Sequence, residues 1–166
     1  NYIFTGRSSL TNVIIGNSVT SIGHSAFYNC YSLTSITIPN SVTLIGTQAF
    51  YNCYALTNVT IGNSVNEIGN SAFFGCKSLT SVTIPNSVTS IKYSAFYDCA
   101  SMQYYDFSTH ESVPTLASGV FSKIPSTCKI IVPDDLYDEW IAAENWSTYA
   151  SNIIKKSDWD AQQATE

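Results

Sequence analysis

The chain has 166 residues, 45% hydrophobic and 13% aromatic, so it holds enough apolar material for one domain or solenoid segment and is not a disordered polymer. Its net charge is -5, and seven Lys plus Arg cannot form a basic stripe, which argues against nucleic acid and against an anionic membrane surface as partners. Only 11% of residues are charged, so the surface must be built from neutral polar groups, here 41 Ser or Thr and 13 Asn.

Taken from the N-terminus, the first pattern is a truncated repeat. Phe4 lies 23 residues before Phe27, and Arg7 stands where later copies carry Cys. Residue 1 already lies inside a repeat and no signal peptide is visible. The chain therefore reads as a piece of a longer protein, and the missing signal is no argument for a cytoplasmic location. No apolar run approaches the roughly 20 residues of a membrane-spanning helix.

Four full copies come next, with a step of 23. Leu10, Leu33, Leu56 and Leu79 share it, as do Val13, Ile36, Val59 and Val82, and Ile15, Ile38, Ile61 and Ile84. Val19, Ile22, Ala26, Phe27 and Cys30 recur in the same register, down to Val88, Ile91, Ala95, Phe96 and Cys99. Within a copy, Ile36-Thr-Ile38 alternates as a short strand does, and Pro39-Asn40-Ser41 or Gly62-Asn63-Ser64 then turns the chain. Val42 and Ile45 form a second apolar pair, and the spacing of Ala49, Phe50 and Cys53 suggests about one helical turn. A unit of this length cannot bury its own apolar face, so the copies must stack, with the strands at Val13–Ile15, Ile36–Ile38, Val59–Ile61 and Val82–Ile84 pairing in parallel into one curved sheet.

A fifth copy is degenerate. Met102, Tyr105 and Phe107 replace the Leu, Val and Ile, and two residues are inserted near His110 and Glu111 before Val113, Leu116 and Phe121 resume the spacing. Ile130–Pro133 reads as one more strand. A cap is then expected over 134–156, because an open stack would expose its last core layer. Asp134 or Asp135 suits the start of a helix, Leu136, Trp140, Ile141 and Ala143 its apolar face, and Trp146, Tyr149 and Ile153 further cover. Residues 157–166 read as a polar, poorly ordered end. The domain organisation is thus a solenoid over 1–133, a cap over 134–156 and a tail.

The run Cys53-x-x-Leu56-x-x-Val59-x-Ile61, Asn63-Ser64-Val65-x-x-Ile68-Gly69 and Ala72-Phe73-x-x-Cys76 resembles the BspA-type leucine-rich repeat, and the likeness extends over about residues 4–132. The resemblance implies a leucine-rich-repeat right-handed solenoid, with a parallel β-sheet on one face and turns, short strands and short helical turns on the other. It also implies a secreted or cell-surface protein of a host-associated microbe, with adhesion to host proteins, other cells or glycans as its activity. A structural spacer with no ligand of its own is the competing expectation. A monomer without cofactor is expected, and no membrane insertion by this segment.

Catalysis needs convergent groups. His24 and His110 fall in different coils and read as solvated surface residues; no carboxylate pair, phosphate loop or metal motif recurs, so no catalytic, cofactor or metal residues are assigned. Stacked cysteines cannot surround a tetrahedral zinc ion. Neighbouring coils would bring their backbones within disulfide range, yet their place in the core ladder favours buried thiols. Cys128 lies outside the period and is left open. The Asn17, Asn40, Asn63 and Asn86 ladder reads as turn residues bonding their own backbone. Asn58-Val-Thr and Asn145-Trp-Ser are formal glycosylation acceptors.

Two surfaces remain as binding candidates. One is the outward face of the sheet, a row of Ser, Thr and Asn from Thr11 to Thr83 whose simplest role is a solvated pleat. The other is aromatic: Tyr28, Tyr51, Phe74 and Tyr97 follow the core Phe of each copy, flanked by Tyr31 and Tyr54. Lateral packing between coils is one role for them. Partner binding is the other, because rigid rings supply contact area at low entropic cost.

Overall fold

The structure is a computed structural model that describes residues 1–165. The chain winds into a solenoid whose coils begin at Leu10, Leu33, Leu56, Leu79 and Met102, preceded by the partial coil that carries Phe4. Each full coil has three segments: a front strand, a back strand and a run of turns. The front strands are β2 (Ser35–Thr37), β4 (Asn58–Thr60), β6 (Ser81–Thr83), β8 (Tyr104–Asp106) and β10 (Lys129–Val132). The back strands are β1 (Ser21–Ile22), β3 (Leu44–Ile45), β5 (Glu67–Ile68), β7 (Ser90–Ile91) and β9 (Thr115–Leu116). All pairings are parallel.

The longest ladder is on the back, in the order β1-β3-β5-β7-β9. Its strands are two residues long because only one residue of each, such as Ile45 or Ile68, has to reach the core. Ile91 pairs with Leu116, a step of 25, so the two-residue insertion of the fifth coil is absorbed before this strand.

The front face departs from the single sheet expected of it. It forms two parallel ladders, β2-β4 and β6-β8-β10-β11, where β11 is Ile153–Lys155. The segment Val13–Ile15 forms no strand. The third segment of each coil also differs from the expected helical turn. Alternate amides there bond within their own coil, Ala26 to Gly23 and Tyr28 to Ser25, while those between reach the next coil, Ser25 to Thr47 and Phe27 to Ala49. This zigzag needs left-handed backbone at two places per coil, supplied at one of them by Asn29, Asn52, Gly75 and Asp98. Asn, Asp and Gly tolerate that region best, which explains the residue choice there.

The core is made of stacked like residues. Phe4, Phe27, Phe50, Phe73 and Phe96 form a column with centroid separations of 5.1–5.2 Å and nearly parallel planes. Leu33, Leu56 and Leu79 are fully buried beside it. Cys30, Cys53, Cys76 and Cys99 are buried free thiols, and each donates to the carbonyl of the core Phe one coil back, at 3.1–3.4 Å. The column therefore also supplies donors to buried backbone oxygens. Cys128, too, is a buried free thiol.

Beyond the fifth coil the chain crosses the open end with a 3-10 turn (Asp134–Leu136), α1 (Tyr137–Ala142), a second 3-10 turn (Trp146–Tyr149), β11 and α2 (Lys156–Gln163). Trp140 and Trp146 are buried against each other, with centroids 4.5 Å apart, and both pack on Phe107. Trp146 Nε1 donates to Pro114 O at 2.8 Å, and Tyr149 OH accepts from Phe121 N. Asn145, one of the formal glycosylation acceptors, is tied by its side-chain amide to Leu116 O at 2.7 Å.

Three sequence expectations are corrected at this end. Residues 156–163 are helical, so most of the stretch read as a poorly ordered tail is ordered; Glu166 lies outside the described residues. Neither Asp134 nor Asp135 caps the helix it precedes. Asp134 instead accepts from the Ser157 amide at the start of α2, and the Ser157 hydroxyl first, and then that amide, hold its carboxyl below the usual range. His110 is buried, not solvated, because the insertion folds its ring over Phe107 and beneath Trp140.

Candidate recognition surface

The aromatic row lies on the turn segments. Tyr28, Tyr51, Phe74 and Tyr97 are half-buried and stack on one another at 4.9, 4.6 and 4.6 Å, with planes within 9° of parallel. Because the preceding Phe occupies the core column, the next side chain must lean outward, and the short step between coils brings successive rings face to face. Both faces of the inner rings Tyr51 and Phe74 are thus used for stacking, and it is the edges of the row that meet solvent. Tyr31 and Tyr54 form a parallel stacked pair at 5.2 Å and are 40% exposed.

Cations continue both rows. Lys77 Nζ lies 5.8 Å from the Tyr54 ring centroid and Lys123 Nζ lies 5.1 Å from that of Tyr97. Lys77 also faces Asp98 at 3.4 Å. The surface so formed is apolar at its centre and hydroxyl-bearing at its edges, with Lys77, Asp98 and Lys123 toward its C-terminal end. Burial first, and then the neighbouring Tyr28 and Tyr54, push the Tyr51 phenol above its ordinary value, which keeps it a neutral donor. The sequence singled out six aromatic residues, and the structure brings all six onto this segment of the coils. The two lysines were missed, although the place of Lys77, 23 residues after Tyr54, was visible in the sequence.

The threonines on the front face are exposed and bond between coils. Thr34 and Thr57 Oγ1 donate to the carbonyls of Thr11 and Thr34, at 3.2 and 3.0 Å. The Asn ladder is corrected in the same sense. Asn40 Oδ1 accepts from the Asn63 amide at 2.8 Å and Asn86 Oδ1 from the Glu111 amide at 3.1 Å, so these side chains bridge coils and do not close their own turns.

Among the described residues, no three His, Cys, Asp or Glu side chains are placed to hold a metal ion, and no helix is long and apolar enough to cross a membrane. Burial raises the thiols of the Cys column and of Cys128, with Cys99 and Cys128 each pushed up to about 12, so they lack the thiolate character of a nucleophile.

Known structures share this architecture. A leucine-rich repeat protein of Bacteroides ovatus superposes with a TM-score of 0.62 at 29% identity, over 80% of this chain and 40% of that one. A leucine rich cell surface protein of Faecalibacterium prausnitzii matches at 37% identity and a TM-score of 0.52, over 69% of this chain and 33% of the other. The chain thus spans less than half the length of either. None of the curated proteins matches it in sequence. The model of the BspA type leucine rich repeat region matches six copies over residues 1–127. Repeats of this kind are generally non-catalytic. By this match and by the shared fold, the chain belongs to the BspA-type leucine-rich repeat family.

Proposed function

We propose that the chain is a non-catalytic recognition module of a secreted or cell-surface protein, and that it adheres to host proteins, other cells or glycans through the row Tyr28, Tyr51, Phe74 and Tyr97 with Tyr31 and Tyr54. The observation that carries this reading is the row itself: a continuous column of stacked, half-exposed rings on a charge-poor protein. A chain with 11% charged residues has little long-range steering, so its affinity must come from close contact. Stacking also fixes the rings in advance, which lowers the entropic cost of binding. Membership of a family with cell-surface relatives supports the extracellular location. In the same proposal 1–133 serves as the recognition solenoid and 134–156 as its cap.

The test is the triple substitution of Tyr28, Tyr51 and Tyr97 to Ser, assayed against immobilised matrix proteins, whole cells and glycans. Lost binding with an unchanged denaturation midpoint supports the proposal. Lost stability in a protein that binds nothing assigns the rings to packing and makes the chain a spacer.

A further inference from the structure

From coil 1 to coil 5 the front face alternates between two kinds of junction, and beyond β8 it stays closed. Coil 3 closes on coil 2: β4 pairs with β2, Ile38 N–H donates to Thr60 O and Asn63 N–H donates to Asn40 Oδ1. Coil 5 closes on coil 4 in the same way, through Ile84 N–H to Asp106 O and Glu111 N–H to Asn86 Oδ1. Between coils 3 and 4 these bonds are absent among the described residues, and β4 and β6 do not pair. The back ladder and the turns run on unbroken, and Ser87 Oγ ties coil 4 to Val65 O at 2.7 Å. Between coils 1 and 2 the front segments likewise form no ladder, although Thr34 N–H still donates to Thr11 O, and Ser41 Oγ donates to Val19 O at the same distance.

The cause is the residue after each front strand. On coil 3 it is Gly62, where a Cβ would lie 2.5 Å from Pro39 O, so closure there depends on its absence. On coil 4 the same place holds Pro85, which has both a Cβ and no N–H and cannot make that approach to Gly62. Coil 5 reaches closure with Ser108, whose amide is taken by Asp106 Oδ1, in a turn lengthened by two residues.

The seam between β4 and β6 is a groove of about 740 Å³ lined by Asn58, Thr60 and Asn63 on one side and Ser81, Thr83 and Asn86 on the other. The lining carries no charged side chain. The amides of Ile61 and Thr80 are left without the backbone partners that their counterparts Ile38, Ile84, Thr57 and Gln103 possess. Next to Ser81 in the ladder, and on the same outward face, is Tyr104, whose ring meets Trp159 of α2 at 5.2 Å. A hydroxyl- and amide-lined groove with unpaired backbone groups thus lies one strand away from a half-buried aromatic pair.

We infer that this seam is a second binding site, separate from the aromatic row, and that its ligand is a neutral oligosaccharide. An inserted peptide strand would need two strand spacings, about 9.6 Å, whereas Cα atoms of β4 and β6 approach within 8 Å. The seam therefore admits small hydrogen-bonding groups and excludes a backbone. Sugar hydroxyls can donate to and accept from single amides and carbonyls there, while an apolar sugar face rests on Tyr104 and Trp159. Lys129, paired with Tyr104, and Asp106, paired with Thr83, carry opposite charges beside the groove, so an anionic glycan gains no net attraction there. The equivalent seam between coils 1 and 2, of about 310 Å³, repeats Asn12, Asn17, Ser35 and Thr37 but has Asn58 where Tyr104 stands, so it lacks the aromatic platform.

The experiment titrates the intact chain with hexasaccharides of β-linked glucose, mannose, galactose and N-acetylglucosamine, with heparin and an oligothreonine peptide alongside. Calorimetry reads binding, and hydrogen exchange reads the Ile61 and Thr80 amides. One neutral series is expected to bind with one site per chain and to slow exchange at both amides. The exposed pair Thr60→Val with Thr83→Val keeps the strand shape and should weaken binding about tenfold, as should Trp159→Ala. Substituting Tyr28, Tyr51 and Tyr97 should leave this binding unchanged, which separates it from the proposal for the aromatic row. No binding by any neutral series, unchanged binding in the Thr60/Thr83 variant, or protection of the two amides by heparin or oligothreonine instead would overturn the inference.

Discussion

Coils 2 to 4 and the closing segment solve one problem by opposite means. In the coils each core residue packs on its own copy, Phe on Phe and Cys beneath a Phe carbonyl, so one set of contacts is repeated. At the C-terminal end nothing repeats. Tyr105 intrudes into the Phe column, 4.5 Å from Phe121, and Trp140, Trp146 and His110 meet Phe107 from different directions. A repeat tolerates damage because each coil has two neighbours to rely on; the last core layer has a coil on one side only and depends on a single lid.

The largest effect is therefore expected at the lid. Trp140→Ala should lower stability by about 3–5 kcal/mol, the range for truncating a buried Trp, read as a shift of the denaturation midpoint. A loss below about 1 kcal/mol would show that the lid relaxes as readily as a coil. Trp140 Nε1 is buried without a partner, so part of the cost is offset by removing an unsatisfied donor.

Next is Gly62→Ala, which places a Cβ 2.5 Å from Pro39 O. Backbone must move, and a loss of about 1–3 kcal/mol is expected from the overpacking. The closed junction should then open, seen as faster exchange of the Ile38 amide. Unchanged exchange there would mean that glycine does not set the junction type.

The smallest effect concerns His110. Its two ring nitrogens face Phe107 O at 3.2 Å and Val88 O at 3.4 Å, while burial lowers its pKa despite those carbonyls. With the folded pKa lowered, the unfolded chain binds the proton more readily. Stability from this group is complete above about 6.5 and declines as pH falls through the imidazole range. His110→Gln should flatten the midpoint between pH 7 and 5, and an equal slope in both proteins would exclude this group as its origin.

Much of this fold was legible in the sequence because a strict period turns one residue's position into four. The Leu, Ile, Phe and Cys ladders could be placed in the core from spacing alone. The missed features break the period or double it. His110 lies in the insertion, where no copy exists for comparison. The αL zigzag was mistaken for a helical turn because i, i+1, i+4 spacing does not distinguish the two. The divided front sheet follows from the alternation of Gly16, Pro39, Gly62 and Pro85, a 46-residue pattern concealed by the stronger one of 23. The aromatic row was legible as a row; its stacking geometry was not.

That alternation has a consequence for how such a chain can lengthen. If a single coil is copied or deleted, Pro meets Pro or Gly meets Gly at the joint, and the order of closed and open junctions is disturbed. If two coils are copied together, every joint reproduces one already present. The heritable unit that preserves this architecture is therefore a block of two coils, and an array grown from such blocks gains one open seam with each addition.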